Sequence, residues 1–173
     1  MRDPHDPSAA ASTPVALTAD EMSTLKAAVG RLIPTDDLGP GADDADVHIF
    51  IDRSLAAANA ALLPTYRAGL AALAKAASGR FAAAAADRQD ALLTDAERGE
   101  LAGAPDGFFA LLLEHTRQGM FGDPVYGGNR DFAGWNLIGY PGIKLIWTSK
   151  DQNIGATVAP EHISVAKYGG KGW

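Results

Sequence analysis

Gly119-Met-Phe-Gly-Asp-Pro-Val-Tyr-Gly-Gly-Asn-Arg-Asp-Phe-Ala-Gly-Trp-Asn-Leu-Ile-Gly-Tyr-Pro-Gly142 holds seven glycines, two prolines and five aromatics. Such a composition is poor for a helix, and it shows no period-two alternation, so the stretch reads as irregular backbone. Glycine permits positive φ and close backbone approach, while each proline fixes its own φ and restricts the residue before it. Aromatics set between such residues are held by a shaped loop and present flat faces. A disordered linker would be rich in Ser, Glu or Lys and short of aromatics. The stretch is therefore an ordered loop, and the rest of the chain reads as its scaffold.

Upstream, that scaffold is helical. Thr18-Ala-Asp-Glu21 has capping-box spacing, and Met22, Leu25, Val29, Leu32 and Ile33 recur with helical period until Pro34 stops the run. An acidic turn follows from Thr35 to Asp46. Its aspartates lack the EF-hand spacing, and they read as solvated acids beside the positive end of the next helix. That helix is predicted from about Asp44 to Ala61, burying Val47, Phe50, Ile51 and Leu55. Pro64 suits the first position of a third helix, with Tyr66, Leu70, Leu73 and Ala77 inward and Gly79 as its stop. Phe81 anchors a linker over residues 80–86, and a fourth helix covers about Asp87 to Arg98. A fifth opens at Pro105 and carries Phe108, Phe109, Leu111, Leu112, Leu113 and Met120 to the loop. It is apolar on nearly every side, which places it at the centre of a bundle.

Outside residues 18–147 the chain is unpatterned. Residues 1–17, rich in proline and small side chains, read as a flexible arm. Ile143 to Trp147 is a short apolar segment, either a strand or a helical turn. Residues 148–173 form a glycine-containing, aromatic-ended C-terminal arm of the kind that packs on something else. The fold class is thus all-α: one bundle of about five helices, an ordered glycine–aromatic loop over 119–142, and an extended C-terminal arm.

The 173 residues suffice for one domain with its own core. Absence of cysteine excludes disulfides, cysteine-ligated iron–sulfur clusters and thiol catalysis by this chain. A net charge of −6 argues against nucleic acid as partner. No apolar run approaches the roughly 20 residues that a membrane helix needs. No basic segment followed by an apolar stretch opens the chain, so an export signal is not expected in these residues.

Candidate chemistry is sparse. Of His5, His48, His115 and His162, only His48 and His115 fall on predicted helices, and no metal-ligand spacing joins them, so no metal is expected. His115 is expected to be buried and hydrogen-bonded within the loop. There is no nucleophile elbow, dinucleotide fingerprint or P-loop. Asp123 and Asp131 sit in contexts that favour loop capping. No catalytic constellation assembles. What stands out is a surface of Phe121, Tyr126, Phe132, Trp135 and Tyr140 threaded with Asn129, Arg130 and Asn136. Aromatics with arginine suit a partner interface, and tryptophan with amides suits stacking on a sugar. The same aromatics also suit a plug at the end of the bundle.

Two pieces of this stretch, His115 to Asn129 with its Phe-Gly-Asp-Pro-Val-Tyr-Gly-Gly-Asn run and Gly134-Trp-Asn-Leu-Ile-Gly-Tyr-Pro-Gly142, resemble the gluconate 2-dehydrogenase subunit 3 family. The capped helix ending in Leu-Ile-Pro-Thr-Asp36 fits the same order, and the likeness covers roughly residues 17–142. The resemblance implies a non-catalytic small subunit beside a large FAD-dependent dehydrogenase of the glucose–methanol–choline type. That partner would hold the FAD and oxidise a sugar, glycoside, polyol or sugar acid, often passing electrons to a cytochrome c. The small subunit would bind and stabilise it and assist its export, which implies a periplasmic location. Residues 1–20 contain a single arginine, Arg2, and so depart from the twin-arginine signal frequent in such subunits. Phe121, Asp123, Tyr126, Asn129, Arg130, Phe132, Trp135, Asn136 and Tyr140 are then the residues expected to face the partner or its active site. The alternative is a free-standing carbohydrate-binding or chaperone-like helical protein.

Overall fold

The computed structural model describes residues 13–172. Six α-helices follow one another: α1 (Ala19–Leu32), α2 (Val47–Ala56), α3 (Leu63–Ala76), α4 (Ala86–Glu97), α5 (Phe108–Phe121) and the short α6 (Ala133–Leu137). Single 3₁₀ turns lie between several of them, and the described residues form no strand. The all-α bundle expected from the sequence is the fold observed.

The local signals explain most of these boundaries. The Thr18 backbone N–H donates to Glu21 at 2.7 Å and the Glu21 N–H donates to the Thr18 hydroxyl, which satisfies two orphan donors of α1 reciprocally. Pro34, just past the C-cap residue Ile33, ends the helix. Residues 35–46 then fold back, the Ala42 N–H reaching the Ile33 carbonyl at 2.8 Å, so that Ala42 and Ala45 become fully buried. Four of the turn's aspartates are engaged rather than merely solvated: Asp36 accepts from the Leu38 N–H, Asp43 pairs with Lys26, Asp44 accepts from Thr35, and Asp46 pairs with Arg130.

Helix α2 is shorter than its apolar period and alanine content predict. Asp46 has φ +56°, a left-handed residue that cannot belong to the helix, so α2 opens at Val47. Beyond Ala56, the side chain of Asn59 donates to the Ser54 hydroxyl at 2.6 Å and its backbone N–H to the Ser54 carbonyl at 2.9 Å. These bonds close the helix, and the next residues coil as a 3₁₀ turn (Ala60–Leu62). The arm expected over residues 1–17 is fixed at its inner end. The backbone N–H groups of Val15, Ala16 and Leu17 all donate to the carboxylate of Asp52 on α2, at 2.6 to 3.0 Å. Leu17 is thereby drawn into the core. The remainder of that expected arm, residues 1–12, lies outside the described residues.

Helix α5 packs against α1, α2, α3, α4 and α6, yet it is not apolar all round. Phe108, Leu112, His115, Thr116 and Met120 face inward, while Glu114, Arg117 and Gln118 form an exposed polar strip. Its seam with α3 is aromatic. Tyr66 meets the Phe108 ring edge-on at 6.1 Å and stacks on the His115 imidazole at 5.7 Å, with its hydroxyl 2.9 Å from His115 Nδ1. His115 is thus buried as expected, but its partner belongs to α3 rather than to the glycine loop. Phe108 fits because position 69 has no side chain: a Cβ on Gly69 would overlap the Phe108 ring. Across the bundle, Arg31 of α1 forms a bidentate pair with Asp90 of α4, and the linker residue Phe81, fully buried, is held by Gln89 Nε2 donating to its carbonyl at 2.9 Å.

Two outcomes follow from this packing. Gly69→Ala, which leaves the helix propensity of α3 no worse, should destabilise the fold by about 1–3 kcal/mol through overpacking against Phe108, read as a lowered urea midpoint. Burial also holds the His48 and His115 imidazoles below the ordinary histidine range. Both therefore take up protons more readily when unfolded. Their contribution to stability is present above about pH 6.5 and is lost as pH falls from there through the lowered folded-state values. Unfolding free energy should decline from about pH 7 to pH 5, with a shallower slope in His115→Gln.

Candidate interaction site

The glycine-rich stretch begins where α5 runs out of room. Gly122 N–H closes the last turn on the Gln118 carbonyl at 2.8 Å, and Asp123 then caps a 3₁₀ turn (Pro124–Tyr126) by accepting from the Val125 N–H at 3.0 Å. From there the chain turns back along the end of α5. Glycine is needed for that contact: a Cβ on Gly128 would overlap the Gly119 carbonyl, and one on Gly134 the Met120 carbonyl. Although irregular backbone was expected throughout, the stretch folds into a second 3₁₀ turn (Arg130–Phe132) and α6. Short helical turns suit it because its backbone groups are buried against α5 and must find partners within a few residues.

Asn129 organises the loop. It is fully buried and left-handed at φ +48°. Its Nδ2 donates to the Gly122 carbonyl at 2.8 Å, and its Oδ1 accepts from the N–H groups of Gly134 at 2.8 Å and Trp135 at 3.4 Å. One side chain thus bridges the exit of α5 and the entrance of α6. Asp131 and Phe132 are also left-handed, at φ +55° and +59°, a strained conformation for a bulky aromatic. The segment is held there from several sides. Arg130 donates its N–H to the Ala45 carbonyl and its guanidinium to Asp46 at 3.0 Å, while the Phe132 ring lies 5.3 Å from Trp135 and stacks on His162 at 4.8 Å.

The aromatic surface expected from the sequence accordingly divides. Trp135 is 3 % exposed, with Nε1 donating to the Phe121 carbonyl at 2.9 Å and Tyr140 packed edge-on against its ring at 4.9 Å. It therefore offers no face on which a sugar could stack, and Asn129 is equally withdrawn from any ligand. Both close the end of the bundle, where the hydrogen bonds of the indole and the amide offset the cost of burying them. Phe121, Asp123, Tyr126, Arg130 and Phe132 are half-buried, while Asn136 and Tyr140 reach the surface. Beside them an open apolar recess of about 630 Å³ is lined by Phe50, Phe121 and Tyr126, with Arg117 and Asp123 among its polar residues.

The C-terminal arm, unpatterned in sequence, returns onto this loop. Asp123 accepts from the Ser164 hydroxyl and from the Val165 N–H at 2.8 Å, and His162 Nε2 lies 2.7 Å from Asn136 Oδ1. The Glu161 N–H bonds the Pro141 carbonyl and the Ile143 N–H the Ile163 carbonyl. Residues 144–160 are thus an out-and-back excursion from a closed base, and Ile143–Trp147 is neither strand nor helix. Lys144 buckles that base, 3.0 Å from Asp151, 3.6 Å from Glu161 and 5.5 Å over the Trp147 ring. Thr148 donates both its N–H and its hydroxyl to Asp151, and these two bonds, reinforced by Lys144, hold the Asp151 carboxyl down at about 2. The signal for this turn was present in the sequence, because Thr148-Ser-Lys-Asp151 has the spacing of a side chain that caps its own backbone.

Among the described residues no cluster of three or more potential metal ligands occurs, and no helix is long and apolar enough to cross a membrane. Comparison with protein families matches residues 19–142 to the model described as gluconate 2-dehydrogenase subunit 3. The chain belongs to that family. The match runs from the first residue of α1 to the Tyr-Pro-Gly that ends the glycine loop, so it takes in the bundle and the Asn129 latch together. Comparison with curated proteins and with solved structures gives no match.

Removing the latch tests its weight. Asn129→Ala leaves the Gly122 carbonyl and the buried N–H groups of Gly134 and Trp135 without their side-chain partner and puts alanine in a left-handed position. It should cost roughly 2–4 kcal/mol, seen as a lowered urea midpoint and as faster hydrogen exchange at Gly134 and Trp135.

Proposed function

We propose that this chain is the non-catalytic small subunit of a dehydrogenase complex. In this reading it binds and stabilises a large FAD-dependent subunit of the glucose–methanol–choline type, which oxidises a sugar, glycoside, polyol or sugar acid. Membership of a family of dehydrogenase subunits, over a match that spans the whole helical domain, is the observation that carries the reading. The flavin is assigned to the large subunit: a dinucleotide seat of the strand–turn–helix kind needs a sheet, and the described residues form none. In the same reading electrons pass from the large subunit to a cytochrome c, this chain having no cysteine thiolate to ligate a cluster. By binding the native large subunit and not its unfolded form, the small subunit would raise its stability by mass action and favour its export in the folded state, with the assembled complex in the periplasm.

Tagged full-length chain recovered from its native host tests this directly. The expected eluate is yellow, has a flavin absorption spectrum, and contains a second, much heavier polypeptide that oxidises sugars or polyols. A colourless, monodisperse single chain would overturn the proposal.

A further inference from the structure

His48, in the first turn of α2, is 9 % exposed, and its Nδ1 is buried with no hydrogen-bond partner among the described residues. A neutral ring tolerates this better than a charged one, because a proton added at Nδ1 would be a buried, charged donor without an acceptor. Four charged groups act on the ring: Lys26 from α1, Asp43 and Asp46 from the turn before α2, and Arg130 from the glycine loop. On α2 itself Asp52 lies one turn on, with its carboxylate committed to the backbone of Val15, Ala16 and Leu17. The other two carboxylates are committed as well, Asp43 to Lys26 and Asp46 to Arg130, each at 3.0 Å. An imidazolium at position 48 would have to compete with an ammonium or a guanidinium for its counter-charge.

Those two pairs also fasten separate pieces of chain. Lys26 with Asp43 joins α1 to the turn. Asp46 with Arg130 joins the turn to the glycine loop, where the Arg130 N–H reaches the Ala45 carbonyl at 3.1 Å. Little apolar surface holds the turn down. Residues 34–38 are exposed, and the turn's buried residues are Gly41, Ala42 and Ala45, which have almost no side chain. A segment secured by polar bonds and little apolar area opens locally at a lower free energy than the core.

We infer that the turn of residues 35–46 is an acid-opened clasp, closed over a neutral His48 and swung away from α1 and Arg130 when His48 takes up a proton. Both ion pairs part, water reaches the imidazolium, and the glycine loop loses one of its moorings while the core of α3 to α5 stays folded. Burial, and then Lys26, hold the ring below the ordinary histidine range in the closed form. The open form therefore binds the proton more readily. Its population rises as pH falls below about 6.5, by up to about tenfold per pH unit, and levels off below the closed form's lowered value.

The test is hydrogen exchange read by NMR on the full chain between about pH 7 and pH 5, each rate corrected for its intrinsic pH dependence. The reporters are the Ala42 N–H, bonded to the Ile33 carbonyl, and the Arg130 N–H, bonded to the Ala45 carbonyl. Leu112, buried on α5, reports global unfolding. Protection at Ala42 and Arg130 should stay below that of Leu112 throughout and fall about tenfold or more across this range. His48→Gln and His48→Asn, each checked for wild-type helicity by circular dichroism, should remove that fall, while His115→Gln should leave it in place. Protection at the two reporters that does not change with pH in the wild type would overturn the clasp, whatever the variants do. A fall that persists in a correctly folded His48 variant would overturn it too. So would reporter protection equal to that of Leu112 at every pH, which would assign the effect to global unfolding. No partner enters the measurement, so the subunit reading stands or falls separately.

Discussion

A buried backbone group must find a hydrogen-bond partner, and at the end of α5 no regular element is available to provide one. Asn129 answers that need. Its amide donates to one carbonyl and accepts from two N–H groups, so a single side chain stands in for the missing ladder between α5 and α6. Everything beyond α5 depends on this substitution. With Asn129 in place, Gly128 and Gly134 lie directly on the α5 backbone, the strained Phe132 is held over Trp135, and the loop presents Asp123 and Asn136 to the returning arm.

The same device recurs with carboxylates. Asp52 gathers three consecutive N–H groups of the segment before α1, and Asp123 gathers the Val125 N–H together with a hydroxyl and an N–H of the arm. Charge-assisted bonds of this sort are stronger than neutral ones. They fasten irregular chain to helical scaffold at two distant points, 37 and 41 residues apart in sequence, in a molecule without cysteine for a crosslink. The helical core needs no such fastening. There the aromatic seam of Tyr66, Phe108 and His115 and the aliphatic layer around Leu25, Val29, Ile51 and Leu112 are held by burial.

How far the sequence disclosed this architecture follows from the range of the forces involved. Thr18 with Glu21, Pro34, Pro64 and the period of α1 to α5 act within a few residues, and each placed a helix end or an inward face correctly. Helix α2 was overextended because a left-handed Asp46 and the Asn59–Ser54 closure override a good alanine propensity, and neither has a pattern of its own. Polar residues on α5 were outweighed by the number of its leucines and phenylalanines. In the loop the composition correctly announced order, but it gave no means of telling which aromatics face outward. Trp135 and Asn129 are inside because of bonds to Phe121 and Gly122, and such pairings leave no periodic trace. The arm was the least legible element. Its order comes from partners on the loop, and only the Thr148–Asp151 spacing betrayed a local turn.

Asp123 also imposes a sequence of events. A chain leaves the ribosome from its N-terminus, so the bundle and the loop emerge while Asp123 still lacks Ser164 and Val165. Residues 144–154 emerge in that interval too, but the base that holds them is not closed until the residues beyond position 160 have followed. A half-made protein therefore carries its apolar residues on a loose thread, and a completed latch converts them into a fixed shape. The Asp123 bonds to Ser164 and Val165 can therefore close only after position 165 has been made.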